Sequence, residues 1–121
     1  DALPILELCE KNKQPENDNQ LIVRIQAYID ENYGDPSLCL SRISDLFHIS
    51  ESYFSFLFKK TVGVNFSTYL EQVRMTQAKH LLETTNIKIT DLYVAVGYNN
   101  LTSFRRAFKK KYGVAPNALR E

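Results

Sequence analysis

The chain has 121 residues, of which 44% are hydrophobic and 24% charged, so its length and composition fit one globular domain with a buried core. No run approaches the ~18 consecutive apolar residues of a membrane helix, and the first residues lack the features of a signal peptide. We therefore expect a cytoplasmic protein with no membrane partner. The net charge of +1 conceals an asymmetry, since residues 1–35 sum to −5 and residues 36–121 to +6. A polyanion would bind the basic part.

Residues 1–18 are expected to form a leader or linker rather than part of the folded domain. Residues 3–8 are apolar enough for a short helix, whereas residues 10–20 are polar with Pro15 at their centre. We interpret the segment as trailing from an upstream domain that this sequence lacks, and residues 19–121 as the folded domain.

From Asn19 onward the apolar residues follow helical spacing. The pattern predicts about seven helices: one ending near residue 34, a short one around 40–47, a third over about 51–62, a longer one over about 66–83, and then 89–96, 101–112 and a short one from 116. Ser50 and Asn100 are predicted N-caps, and Gly63 and Gly113 are predicted helix ends. No stretch alternates as a strand would, so the fold class is all-α.

An internal repeat is more informative than any single helix. A shift of 50 residues superimposes part of the third helix on identical residues of the sixth: Phe54, Phe58, Lys59, Lys60, Gly63 and Val64 match Phe104, Phe108, Lys109, Lys110, Gly113 and Val114. The preceding short helices match at a shift of 49, so the second copy has one extra residue in its turn. Each copy is a helix-turn-helix. We place them at about 38–62 and about 89–112, joined by a linker helix over about 66–83.

The outward faces of the third and sixth helices would carry the chemistry. These faces comprise Ser52, Ser55, Phe56 and Lys59 in the first copy, and Thr102, Arg105, Arg106 and Lys109 in the second. Hydroxyls can meet either base type, arginine pairs with guanine and lysine neutralises phosphate, so both faces suit a major groove. One such face alone is typical of an ordinary solvated helix. Its recurrence in both copies favours DNA binding.

The stretch ITDLYVAVGYNNLTSFRRAFKKKYGVAPNALR, residues 89–120, carries a recognisable signature. Its marks are Gly97-Tyr98, Phe104, Phe108-Lys109, Gly113, Pro116 and Arg120. It resembles the C-terminal signature of the AraC/XylS-type bacterial transcription regulators. Residues 40–63 are similar to that family's other helix-turn-helix, and the linker helix is similar in Arg74, Ala78, Leu81 and Leu82. The resemblance covers about residues 20–121 and implies a sequence-specific DNA-binding module, usually fused to a ligand-sensing or receiver domain.

Carried over by position, the resemblance implies specific DNA contacts. They are Ser52, Ser55, Phe56 and Lys59 in the first copy, and Leu101, Thr102, Arg105 and Arg106 in the second. We add Lys60, Lys109 and Lys110 as neighbouring DNA-binding candidates.

Four positions depart from the family pattern. Tyr93 stands where the family keeps a small residue at a helix crossing, so we expect the second unit to be spread or tilted. Phe56 replaces a polar or basic residue. Ala115 and Leu119 replace a threonine and a tyrosine near the C terminus.

Cysteine and histidine are too scattered to hold a metal. Cys9 and Cys39 are expected to be free thiols. His48 and His80 lie on separate predicted helices, and neither has a cysteine or another histidine within five residues, as a zinc site would need. We predict no metal, no cofactor and no catalytic residue, which makes an enzyme the weakest function class.

Two functions remain in competition. The first is a DNA-binding domain of a transcription regulator acting at promoter sites in double-stranded DNA, whether as activator or repressor. RNA polymerase and an upstream sensory or receiver domain are its further candidate partners. The alternative is a helical protein-interaction module that dimerises through residues 3–8 without binding DNA. Binding through phosphates weakens steeply with salt, whereas hydrophobic association does not.

Overall fold

The computed structural model describes residues 17–120, which fold into seven α-helices and contain no strand. In chain order they are α1 (Asp18–Asn32), α2 (Leu40–Leu46), α3 (Glu51–Val62), α4 (Phe66–Thr84), α5 (Ile89–Ala95), α6 (Leu101–Tyr112) and α7 (Pro116–Arg120). The predicted all-α architecture with two helix-turn-helix units is confirmed. The expected helix at residues 3–8 and the Cys9 thiol lie outside the described residues.

The two helix-turn-helix units, α2–α3 and α5–α6, match element for element. The first helix of each has seven residues and the second has twelve. The shorter helices are offset by 49 residues and the longer ones by 50, so the turn of the second unit is one residue longer, as the sequence predicts.

Polar caps define where the longer helices begin. The Ser50 hydroxyl accepts a hydrogen bond from the Tyr53 backbone N–H at 3.0 Å, and the Asn100 side chain accepts one from Ser103 at 2.8 Å. Such caps satisfy backbone donors that a helix leaves unpaired in its first turn. At the other end, Gly63 adopts a left-handed conformation with φ of 98°, which a side chain would disfavour.

The apolar side chains form two cores, one in each half of the molecule. The first core contains Ile22, Ile25, Ile29, Leu38, Ile43, Phe54, Leu57, Phe58, Phe66 and Leu70. The second contains Met75, Ala78, Leu82, Leu92, Val96, Phe104, Ala107 and Phe108. Each longer helix therefore buries one apolar stripe in its own core and leaves the opposite side exposed.

Helix α4 contributes to both cores, which the sequence interpretation of a simple linker missed. Its N-terminal half, with Phe66 and Leu70, closes the first core. Its C-terminal half buries Met75, Ala78 and Leu82 in the second core. Helix α1 buries Ile22, Ile25 and Ile29 in the first core with the same spacing of three and then four residues. The C-terminal half of α4 thus packs against the second unit in the same way as α1 packs against the first.

Helix α1 begins at Asp18, one residue before the start expected at Asn19. Asn17 and Gln20 exchange side-chain and backbone hydrogen bonds, which is a capping box.

The Cys39 thiol is free and exposed. Among residues 17–120, no helix has the length and apolarity needed to cross a bilayer.

Candidate nucleic-acid interface

The outward face of α3 is mostly neutral. All five candidate residues on this helix are exposed: Ser52, Ser55, Phe56, Lys59 and Lys60. The Phe56 ring is 62% exposed, and the Lys60 ammonium lies 5.7 Å from its centroid. A cation at this distance over a ring is attracted to its face. The α3 face therefore presents two hydroxyls and an aromatic ring, with cations towards the C-terminal end.

The outward face of α6 is strongly basic. Thr102, Arg105, Arg106, Lys109 and Lys110 are all exposed. The remaining candidate, Leu101, is half-buried because it packs against the second core. With Lys111, the helix carries five cations and no acid, whereas α3 carries two lysines and Glu51. The basic half of the sequence thus has its highest charge density on α6.

Beside α3 lies α1, and beside α6 lies α4, and the grooves between the two helices of each pair are lined by matching positions of α3 and α6. In the first unit, Asp18 and Asn19 line the groove with Lys60 and neighbouring residues of α3. In the second, Glu71 and Gln72 line it with Lys110 and neighbouring residues of α6. Lys60 and Lys110 therefore lie at the edge of each outward face. Such edge positions suit contact with the DNA backbone rather than with bases.

Two tyrosines of the helix-turn-helix units, Tyr53 and Tyr98, are engaged within the protein. The Tyr53 phenol donates a hydrogen bond to the Asp18 carboxylate at 2.6 Å, which raises the pKa of Tyr53. Tyr98 is half-buried, and burial raises its pKa. The Arg74 guanidinium carbon lies 5.6 Å from the centroid of the Tyr98 ring. The sequence signals neither contact, because each joins two elements that are far apart along the chain.

The turn of the second unit keeps its hydrogen bonding despite the tyrosine at position 93. Tyr93 is half-buried against the second core, and its carbonyl accepts a hydrogen bond from Tyr98 N–H at 2.9 Å. In the first unit the Ser44 carbonyl accepts the equivalent bond from Ile49 at 3.0 Å. The tyrosine is thus accommodated without opening the turn.

Known proteins share this arrangement. A family model described as a helix-turn-helix domain matches residues 43–121. The bifunctional transcriptional activator/DNA repair enzyme AdaA of Bacillus subtilis is 34% identical over 113 residues, which are 93% of this chain and 53% of AdaA. The arabinose operon regulatory protein of Escherichia coli is 30% identical over 115 residues, 95% of this chain and 39% of that protein. This chain belongs to the AraC/XylS-type family.

A solved structure extends the likeness to three dimensions. The C-terminal domain of the two-component response regulator yesN from Fusobacterium nucleatum has a TM-score of 0.79 and 39% identity. The match covers 85% of this chain and 97% of that domain. The chain spans about half or less of the length of the two curated relatives. As an AraC/XylS-type domain it is a sequence-specific DNA-binding domain of a bacterial transcription regulator, which confirms the predicted function.

Proposed function

We propose that α3 and α6 enter successive major-groove segments on one side of a single duplex. The observation that carries this proposal is the pair of equally long, equally capped helices, each with one face buried and the other exposed. Helix α4, which joins the two units, has 19 residues and is about 28 Å long. This length is compatible with insertions about one helical turn, roughly 34 Å, apart.

The half of the DNA site that α6 contacts would be recognised mainly by arginine. Arg105 and Arg106 can each donate two hydrogen bonds to the O6 and N7 atoms of guanine, and the Thr102 hydroxyl can meet either base type. Lys109 and Lys110 would neutralise phosphates on either side of the groove. Leu101 would contact DNA only through the exposed part of its side chain. We expect this half of the site to be rich in guanine.

The half of the DNA site that α3 contacts would be recognised by two hydroxyl groups and the Phe56 ring. Ser52 and Ser55 can hydrogen-bond to base edges, and Phe56 can contact the C5 methyl group of thymine. Lys59 and Lys60 would contact phosphates. Because a methyl group distinguishes T·A from C·G at a hydrophobic contact, this half of the site should be richer in A·T pairs.

The chain would act as the DNA-binding end of a longer cytoplasmic regulator. The likeness to the C-terminal domain of a response regulator supports an upstream receiver or sensory domain, joined through the residues that precede α1. RNA polymerase is a further proposed partner. The activity proposed for this domain is binding rather than catalysis.

Footprinting on a selected duplex tests the proposal. A monomer should protect an asymmetric site of about 15–20 bp, which is two groove segments. Replacing both Arg105 and Arg106 with alanine should remove protection of the guanine-rich half first. Protection of only ~5–6 bp by the unmodified domain would show that a single helix engages. Affinity insensitive to salt would instead favour hydrophobic association with a protein.

A further inference from the structure

The loop between α1 and α2 leads into the first helix-turn-helix unit, and we call it the loop of the first unit. It touches the second unit backbone to backbone at two glycines. A Cβ atom on Gly34, in the loop between α1 and α2, would lie 2.8 Å from the carbonyl oxygen of Ala95 in the second unit. A Cβ atom on Gly97, in the turn of the second unit, would lie 2.5 Å from the carbonyl oxygen of Tyr33. Both distances are too short for a real carbon atom. The loop of one unit therefore fits the turn of the other only because neither glycine has a side chain.

Arg74 of α4 lies at this contact and bonds to it. Its Nε donates a hydrogen bond to the Tyr33 carbonyl at 2.9 Å, and Nη2 donates one to the Asp35 carbonyl at 3.0 Å. The guanidinium also lies over the Tyr98 ring of the second unit. Burial lowers the pKa of Arg74, but an arginine remains charged near neutral pH. One side chain thus joins α4, the loop of the first unit and the turn of the second.

The contact lies between the two cores, and Tyr33, whose carbonyl takes part in it, packs against both. The buried residues of the first core and those of the second are separate sets, and Arg74 belongs to neither. What the contact fixes is the placement of one unit against the other. A planar guanidinium that bonds two carbonyls of the same loop restrains that loop in both distance and angle.

We propose that Arg74 is a positioning residue that sets the separation of the two half-sites to which the domain can bind. The proposal rests on the proposed function, in which α3 and α6 bind one duplex together. One added base pair moves a half-site by about 3.4 Å along the duplex and turns it by roughly 35°. Two units held together through Arg74 and the two glycines cannot follow that movement without breaking hydrogen bonds.

Binding to duplexes of altered spacing tests the role of Arg74. The selected site is prepared with one base pair added or removed between its halves, and Kd is measured by mobility shift for each duplex. For the unmodified domain, one base pair should raise Kd more than about tenfold, within the range of a mismatched base pair. In Arg74→Ala the same change should raise Kd less than about threefold, while binding at the original spacing becomes weaker.

Three further variants separate positioning from charge and from folding. Arg74→Lys keeps the charge but cannot bond both carbonyls as a fork, so its spacing profile should be as shallow as that of Arg74→Ala. Lys79→Ala removes a cation from the same helix away from the contact and should keep the steep profile. Gly34→Ala, which forces the loop away from Ala95, should flatten or shift the profile with Arg74 still present.

Each outcome decides one question. A steep profile in both Arg74 variants, with helix content retained in circular dichroism, would overturn the role of Arg74. If Arg74→Ala does not fold, the profiles of Arg74→Lys and Gly34→Ala decide. If the unmodified domain protects only one half-site, the two-helix function itself is wrong, which is a different result from a steep profile in the variants.

Discussion

The two helix-turn-helix units share a backbone and differ in the surface that they present. Both have a seven-residue helix, a tight turn and a capped twelve-residue helix. Phe54 and Phe58 of the first unit correspond to Phe104 and Phe108 of the second, and all four are fully buried. Outside the core, α3 carries hydroxyls and an exposed ring where α6 carries two arginines. The repeated part of the sequence maintains the fold, and the divergent part is the surface available for recognition.

The turns differ for a reason of space. His48 and Gly97 occupy the same position and both have positive φ, 58° and 97°. His48 is exposed, whereas any side chain at Gly97 would meet the Tyr33 carbonyl and Arg74. A left-handed turn residue therefore need not be glycine, but glycine is required where the turn meets another part of the protein.

The largest expected effect is on the stability of the second turn. Gly97→Ala should reduce the free energy of unfolding by about 3 kcal/mol, because left-handed strain costs roughly 1–2 kcal/mol and overpacking adds about 1–3 kcal/mol. Gly63→Ala is the matched control, since its φ is nearly the same but no atom lies within 4 Å of the added carbon. It should lose only about 1–2 kcal/mol. Equal losses in urea unfolding would mean that the contact with Tyr33 and Arg74 yields at no cost.

The next effect concerns base recognition by the second unit. Arg106→Ala should weaken binding to the selected site by about 1–3 kcal/mol and relax the preference at one base pair, since it removes a bidentate guanine contact. Lys109→Ala should weaken all sequences alike and reduce the salt slope by about one. Mobility shifts on single-base variants at several salt concentrations distinguish the two. If Arg106→Ala lowers the affinity equally for every duplex, Arg106 contacts a phosphate rather than a base.

Phe56 stands in the first unit where Arg106 stands in the second, and it should recognise a methyl group. Replacing thymine with uracil, one position at a time, removes only that methyl. We expect weaker binding, by about 1 kcal/mol, at one or two positions of the first half-site. In Phe56→Ser this sensitivity should disappear. Tolerance of uracil throughout that half would indicate that the ring packs against another domain of the full-length protein.

The turn of the first unit should become more stable when His48 is replaced by the glycine that the second unit has at the same position. His48→Gly relieves a positive φ in a residue with a side chain, at the cost of a more flexible unfolded chain. The net effect should be stabilisation by about 0.5 kcal/mol, smaller than the strain alone. Urea unfolding of this variant measures the gain, and a loss of stability would show that His48 adopts its conformation without strain.

The last effect appears only in acid and concerns Asp35 in the loop between α1 and α2. Asp35 accepts hydrogen bonds from the Ser37 backbone and hydroxyl and from Arg42, which lower its pKa from 3.8 to about 2. Because the pKa is lower in the folded state, this stabilisation is complete above about pH 5 and is lost as the pH falls through about 2. Asp35→Asn has no such titration. The difference in unfolding free energy between the parent and this variant should therefore shrink from about pH 5 to pH 2, and a constant difference would contradict it.

The elements of the fold could be predicted because their signals are local. Caps such as Ser50, glycines such as Gly113 and the repeated phenylalanines each act within a few residues, so the helices and the repeat follow from the sequence. Most of the candidate DNA-facing residues follow from helical spacing, whereas Leu101 follows only from the family resemblance. The contacts of Arg74 could not be predicted in this way, because its acceptors are backbone carbonyls about 40 positions away and carry no sequence signal.

Helix α4 has a thermodynamic consequence because it belongs to both cores. Unfolding of either unit alone would expose the half of α4 that the unit covers, leaving Leu70 or Met75 in water on a helix still needed by the other unit. Partial unfolding is therefore penalised from both sides. The domain should melt in one cooperative transition, with equal calorimetric and van't Hoff enthalpies, although its sequence is a repeat of two similar motifs.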